Sequence, residues 1–152
     1  MSMKKYVVPE FLSGRVDQDR YERWLKAKAR THSKGDVGRF GVRSSAEAYR
    51  DMLHAAVLSS SGKDCYTGED LHWEKISTYN NDHSRAGKTA YKAGFALLPT
   101  ADHVRKSDGT FDFVICGWRT NDSKSDLHLE ELLELCERVL VHHGYRVEKP
   151  DR

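Results

Sequence analysis

Ala101-Asp102-His103-Val104, then after a polar turn Phe111-Asp112-Phe113-Val114-Ile115-Cys116-Gly117, then Trp118-Arg119-Thr120-Asn121-Asp122-Ser123-Lys124-Ser125-Asp126-Leu127, is the stretch that decides how this chain is read. Asp108-Gly109 lies between the first two runs, and a strong turn dipeptide followed by a β-branched and aromatic run predicts an antiparallel hairpin. A short helix is expected to follow from about Thr120. Upstream, Phe95-Ala96-Leu97-Leu98-Pro99 reads as a buried strand stopped by proline, which would deliver Asp102 and His103 to a strand end.

Outward from the hairpin, the N-terminal side reads as helical. Tyr21, Trp24, Leu25 and Ala29 recur at helical spacing from Asp17 to about Lys34, with Asp17 or Asp19 as cap, and they are assigned to the core rather than to base stacking. Gly35, Gly38 and Gly41 predict a flexible loop over 35–43. Ser44-x-x-Glu47 has the form of a capping box opening a second helix with Tyr49, Met52, Leu53, Ala56 and Val57 inward, ended by Ser59-Ser60-Ser61-Gly62. Cys65 to Leu71 reads as a tight turn with Gly68 at positive φ. Residues 79–84 read as turn, with a short helix over 86–92. On the C-terminal side, Leu129, Leu132, Leu133, Cys136, Val139, Leu140 and His143 form a helical stripe closed by Gly144. A chain of 152 residues with 38% apolar and 32% charged residues is expected to be one α+β domain, helical over 1–62, with a hairpin-and-helix core and C-terminal helix over 63–152.

A net charge of +2 does not by itself signal a polyanion partner, but its distribution is uneven. Nine bases (Arg15, Arg20, Arg23, Lys26, Lys28, Arg30, Lys34, Arg39, Arg43) face four acids (Asp17, Asp19, Glu22, Asp36), a local excess of five. Such a run is ordinarily a solvated helix face; if the chain acts on a polyanion, Arg20, Arg23, Lys26, Lys28, Arg30, Lys34, Arg39 and Arg43 are the expected nucleic-acid-binding residues, contacting phosphates without reading sequence. Cys65, Cys116 and Cys136 form no C-x-x-C pair, so reduced thiols are expected and no structural zinc. No apolar run is long enough to span a bilayer and the N-terminus lacks a signal-like core, so a cytoplasmic location with no membrane partner is expected.

Cleaving a phosphodiester requires a deprotonated water, charge to offset the phosphate and help for the departing oxygen; a histidine can supply the first and a divalent ion the others. Asp102 and His103 are neighbours on a strand, where side chains alternate, so one can hold a metal while the other accepts a proton. Asn121 offers an amide oxygen suited to Mg²⁺, and Lys124, one turn on, is placed for a phosphate oxygen.

Asp102-His103, the β-run and Thr120-Asn121-x-x-Lys124-Ser125-Asp126 resemble the HNH (ββα-metal) nuclease motif, in the form found in the HNH domain of CRISPR effector nucleases. Cys65-Tyr66-Thr67-Gly68-Glu69 is similar to the Cys-x-Tyr-Thr-Gly turn that precedes the motif in that group, so the resemblance covers residues 64–128. It implies a ββα-metal core, on which the helical N-terminal half read above from its residue pattern is expected to pack, and a metal-dependent endonuclease acting on double-stranded DNA. It further implies one Mg²⁺ or Mn²⁺ held by Asp102 and Asn121, with His103 as general base. Asp112 falls where the family usually has its middle Asn, which helps fix the loop carrying the base, and is included with His103 and Lys124 among the catalytic candidates. A single site nicks, so cutting both strands implies a homodimer or a second encounter. Two readings compete: a non-catalytic nucleic-acid-binding protein on the same scaffold, and a toxin-like nuclease that cuts RNA.

Overall fold

Asp17 opens the first long helix, its carboxylate accepting the Arg20 amide at 2.8 Å, and α1 runs over Gln18–Phe40. The computed structural model describes residues 4–41 and 44–151. Tyr21, Leu25 and Ala29 are fully buried on α1 and Trp24 nearly so, as their spacing predicts. The helix does not stop near Lys34: it passes through Gly35 and Gly38 to a left-handed cap at Gly41 (φ 66°). Two glycines cost about 1 kcal/mol each against alanine in a helix, and the fold overrides that cost because Asp36, between them, is 2% exposed and hydrogen-bonded to two other elements. The expected loop over 35–43 is thus mostly helix.

α2 spans Ala46–Ser60 and is capped by Ser45, whose hydroxyl accepts the Ala48 amide, so the cap lies one residue beyond the expected Ser44 box. Tyr49, Leu53, Ala56 and Val57 are buried and Met52 partly so, and α1 packs against α2. A 3-10 turn over Trp73–Lys75 brings Trp73 against Trp24 with ring centroids 5.4 Å apart. α3 begins at Asn81, capped by Asn80, and extends to Ala93 with a break at Lys88 (φ 50°, ψ −132°). It therefore starts within the segment expected to be turn.

Phe95 to Leu98 form turns rather than a strand. β1 is Pro99–Arg105, pairing antiparallel with β2, Phe111–Gly117, in the register Asp102 to Val114 and His103 to Phe113. Asp102 and His103 therefore lie in mid-strand, not at its end. Gly109 (φ 84°) turns the hairpin as the Asp-Gly pair requires. α4, Trp118–Lys124, follows β2 directly, giving the element order β-β-α. Among the described residues, the fold is five α-helices and one two-stranded antiparallel sheet, an α+β chain.

The chain divides into two compact units, Met1–Asn121 and Asp122–Arg152, and α2 and the hairpin both belong to the first. The second unit carries α5, Leu129–His142, where Glu131 reaches back to the His128 amide at 2.8 Å. Gly144 ends that stretch at φ 86°, as expected of a C-cap glycine. None of the α5 stripe is buried.

One buried carboxylate joins the first unit's short elements. Asp64, 1% exposed, accepts the amides of Tyr66 (2.8 Å) and Thr67 (3.2 Å) on Oδ1, and the Gly117 amide (2.8 Å) and Thr120 hydroxyl (2.7 Å) on Oδ2. The Cys65 amide donates to the Ile115 carbonyl beside it. Turn 65–68, the end of β2 and the start of α4 are thereby tied together. Because a buried donor left unsatisfied costs about 1–3 kcal/mol, Asp64→Ala is expected to lower unfolding stability by at least about 3 kcal/mol. Urea denaturation checks this, and a loss below about 1 kcal/mol would remove Asp64 from its central place.

Candidate active site and nucleic-acid interface

Adjacent residues of a strand present their side chains to opposite faces, and β1 shows this at the two residues of interest. Asp102, 8% exposed, accepts the Tyr66 hydroxyl on Oδ2 at 2.6 Å. His103, its side chain 18% exposed, places Nε2 3.0 Å from Asp36 Oδ2. The Tyr49 hydroxyl donates to the same Asp36 oxygen at 2.6 Å. Burial first, and then the Asp102 carboxylate beside it, push the Tyr66 hydroxyl far above its ordinary range, and burial and Asp36 do the same for Tyr49. Both phenols are therefore protonated donors.

The imidazole of His103 sits among rings: Phe113 at 4.7 Å, Phe111 at 4.9 Å and His32 at 5.1 Å between centroids. His32 also packs on Phe113 at 4.9 Å. Burial, with the His103 ring and the Lys28 charge opposing a second positive charge, draws the His32 pKa down to about 4, against the weaker pull of Asp36 and Asp102. It is neutral at pH 7. Lys28 donates to Thr100 Oγ at 3.1 Å, and burial lowers its pKa. Lys28, His32 and Asp36 follow one another at intervals of four, a single stripe of α1 aimed at the hairpin.

Asn121 follows Thr120 on α4, and Thr120 is held by Asp64, whose turn carries the Tyr66 that binds Asp102. One hydrogen-bonded turn thus ties Asp102 to the residue next to Asn121. Lys124 lies one helical turn beyond Asn121 in α4 and is 5% exposed, so it is not a solvent-extended side chain. Asp112 stands apart: its side chain is 59% exposed and paired with Lys106 at 2.9 Å beside the hairpin loop. Among the described residues no group of three or more His, Cys, Asp or Glu is arranged to hold a metal. Asp102 and Asn121 supply two hard oxygen donors, a set that suits Mg²⁺ because that ion keeps several of its waters.

The expected basic face resolves into two sets. Arg20 is committed to structure, donating to the Glu74 carbonyl at 2.9 Å and, through Nε, to the Ile76 carbonyl at 2.8 Å; Lys28 turns inward to Thr100. Arg23, Lys26, Arg30, Lys34 and Arg39 are exposed, while Arg43 lies outside the described residues. Arg23, Lys26, Arg30 and Lys34 recur at three and four residues along about 16 Å of helix. Arg23 and Lys26 share a shallow depression with Asp19 and Glu22, which weakens its field for an anion.

Four site residues escape the sequence reading: Asp36, Tyr49, Tyr66 and His32. The signal that would have found His32 and Asp36 is the Lys28-x3-His32-x3-Asp36 spacing, hidden by the glycines around Asp36. No family model, curated protein or solved structure matches this chain.

The state of His32 carries a pH prediction. Its folded pKa lies below the ordinary imidazole value, so between about pH 6.5 and 4 the unfolded chain binds the extra proton. The full stability is present above that window and is lost as pH falls through it, by up to about 3 kcal/mol from this residue. His32→Gln should flatten the pH dependence of urea unfolding across the window. Identical slopes for variant and wild type would contradict the assignment.

Proposed function

We propose that the protein is a metal-dependent endonuclease that hydrolyses DNA phosphodiester bonds, with an HNH-type ββα arrangement formed by β1, β2 and α4. The observation that carries the reading is the order of parts in three dimensions. An antiparallel hairpin bears Asp102 and His103 and runs directly into a helix bearing Asn121, with Asp64 and Tyr66 bracing strand to helix.

Asp102 and Asn121 are the residues to hold a divalent ion, and their oxygen donors fit Mg²⁺ or Mn²⁺. Bound there, the ion would offset phosphate charge and stabilise the departing 3′ oxygen. Tyr66 orients the Asp102 carboxylate by donating to Oδ2. His103 accepts a proton from the attacking water. Products with 5′-phosphate and 3′-hydroxyl ends follow. β1 has only β2 as a strand neighbour among the described residues. Arg23, Lys26, Arg30 and Lys34 offer an exposed basic line that holds DNA without reading its sequence. One site cuts one strand, so both strands are cut only by two copies or two encounters.

Supercoiled plasmid incubated with protein and Mg²⁺ should become nicked, and EDTA should stop it. His103→Ala, Asp102→Ala and Asn121→Ala should each lower the nicking rate by about 10²–10⁴-fold. Equal nicking by wild type and His103→Ala would sink the mechanism. Salt-sensitive DNA binding with no cleavage under any divalent ion would favour a binding protein, and cutting of RNA in EDTA would favour a ribonuclease. Replacing Arg30 and Lys34 by alanine should weaken DNA binding uniformly across sequences and reduce the salt slope by about 2.

A further inference from the structure

We infer that Asp36, on the N-terminal helix α1, is the positioning residue of the His103 base, doing for this site what Asp112 is not placed to do. The inference rests on the nuclease reading above and names a component of that same site.

A neutral imidazole carries one proton, and its other nitrogen carries the lone pair. A carboxylate can only accept, so Asp36 Oδ2 at 3.0 Å from Nε2 keeps the proton on Nε2 and leaves the lone pair on Nδ1. Nδ1 is then the atom that takes a proton from water. As the water gives up its proton, the ring becomes cationic, and the adjacent carboxylate stabilises that charge as it forms. The ring plane is fixed independently by Phe111, Phe113 and His32.

Asp36 is itself held. The Tyr49 hydroxyl donates to the oxygen that meets His103, and α1 and α2 pack against one another behind the pair. His32 beside it stays neutral, so it adds no competing positive charge. Stability alone does not explain the arrangement. A carboxylate at 2% exposure carries a desolvation cost, and buried ionic groups can often be replaced by apolar residues without loss. The helix also reaches Asp36 only by running through a stretch that glycine disfavours. Both costs fall on the residue whose carboxylate meets His103 Nε2.

Asp112 offers no such contact. It sits at the turn end of the hairpin, opposite Val104 and paired with Lys106. The base-orienting group has therefore come from a different part of the chain.

The test is Asp36→Asn, read by two measurements. Because Tyr49 and the Nε2 proton both donate to Oδ2, the amide oxygen of the variant takes that position, keeping the Nε2-protonated ring but removing the negative charge that stabilises the imidazolium. Proton-nitrogen correlation spectra of the histidine rings, recorded without metal at alkaline pH where the rings are neutral, should show His103 protonated on Nε2 in the wild type. In the variant the same Nε2-protonated form should persist, so a loss of nicking reports the lost charge and not a displaced ring. Plasmid nicking by the variant should fall at least about a hundredfold in kcat with KM unchanged. A wild-type ring protonated on Nδ1 overturns the inference even if the variant does not fold. Nicking that survives Asp36→Asn overturns this inference alone, whereas no nicking by the wild type overturns the nuclease reading and this inference with it.

Discussion

The carboxylate of Asp64 is the constraint on which the rest of the site depends. A two-stranded hairpin is marginal by itself in water, and a turn, a hairpin and a seven-residue helix have little intrinsic reason to keep a fixed relation. Asp64 supplies one, because its two oxygens accept from the turn on one side and from β2 and α4 on the other. Gly117 permits this approach: a Cβ there would stand 3.1 Å from Asp64 Oδ2 and 3.1 Å from the Ala96 carbonyl. The tie reaches Asp102 through Tyr66, so a structural hydrogen bond two residues away in the turn decides where a candidate metal ligand points.

α1 serves two neighbouring regions at once. Tyr21, Trp24, Leu25 and Ala29 bury it in the core, while Lys28, His32 and Asp36 extend from that buried side toward the hairpin. Arg20 ties its start to the segment after the Trp73 turn by donating to two backbone carbonyls. A helix anchored at its start by Arg20 and along its length by packed aromatics can hold Asp36 still enough to orient a ring. On the nuclease reading, the placing of His103 thus derives from packing far from β1, as a preorganised site requires.

What was legible in the sequence was what local chemistry decides. The Asp108-Gly109 turn, the β-branched run after it, the apolar faces of α1 and α2, and the positive φ of Gly68 each follow from the residues themselves. The failures share a cause. Phe95 to Leu98 has the composition of a strand, yet its carbonyls are taken by distant donors, with Leu97 accepting from His72, Leu98 from Trp118 and Ala96 from Arg119. The glycines flanking Asp36 read as a loop because nothing nearby in sequence shows that Asp36 meets His103, 67 residues away. Arg20 and Lys28 read as solvent-facing for the same reason. At the site, the pairing of an acid and a histidine was visible, whereas the groups that orient them were not.

The mid-strand position of Asp102 and His103 changes how the pair must work. At a strand end, two neighbouring side chains can converge by backbone bending; inside a regular strand they diverge, and β1 gives each its own fixing partner, Tyr66 on one side and Asp36 on the other. Divergence suits two groups with opposed requirements. A metal ligand must stay anionic and point at a cation, while a general base must stay neutral until it takes a proton, and a bound cation beside it would oppose that protonation. On the nuclease reading, placing the strand between them separates the two charges. The same logic explains why the acid that accompanies His103 comes from α1. A carboxylate on the Asp102 side would compete for the cation, whereas one beneath the ring can act only on the ring.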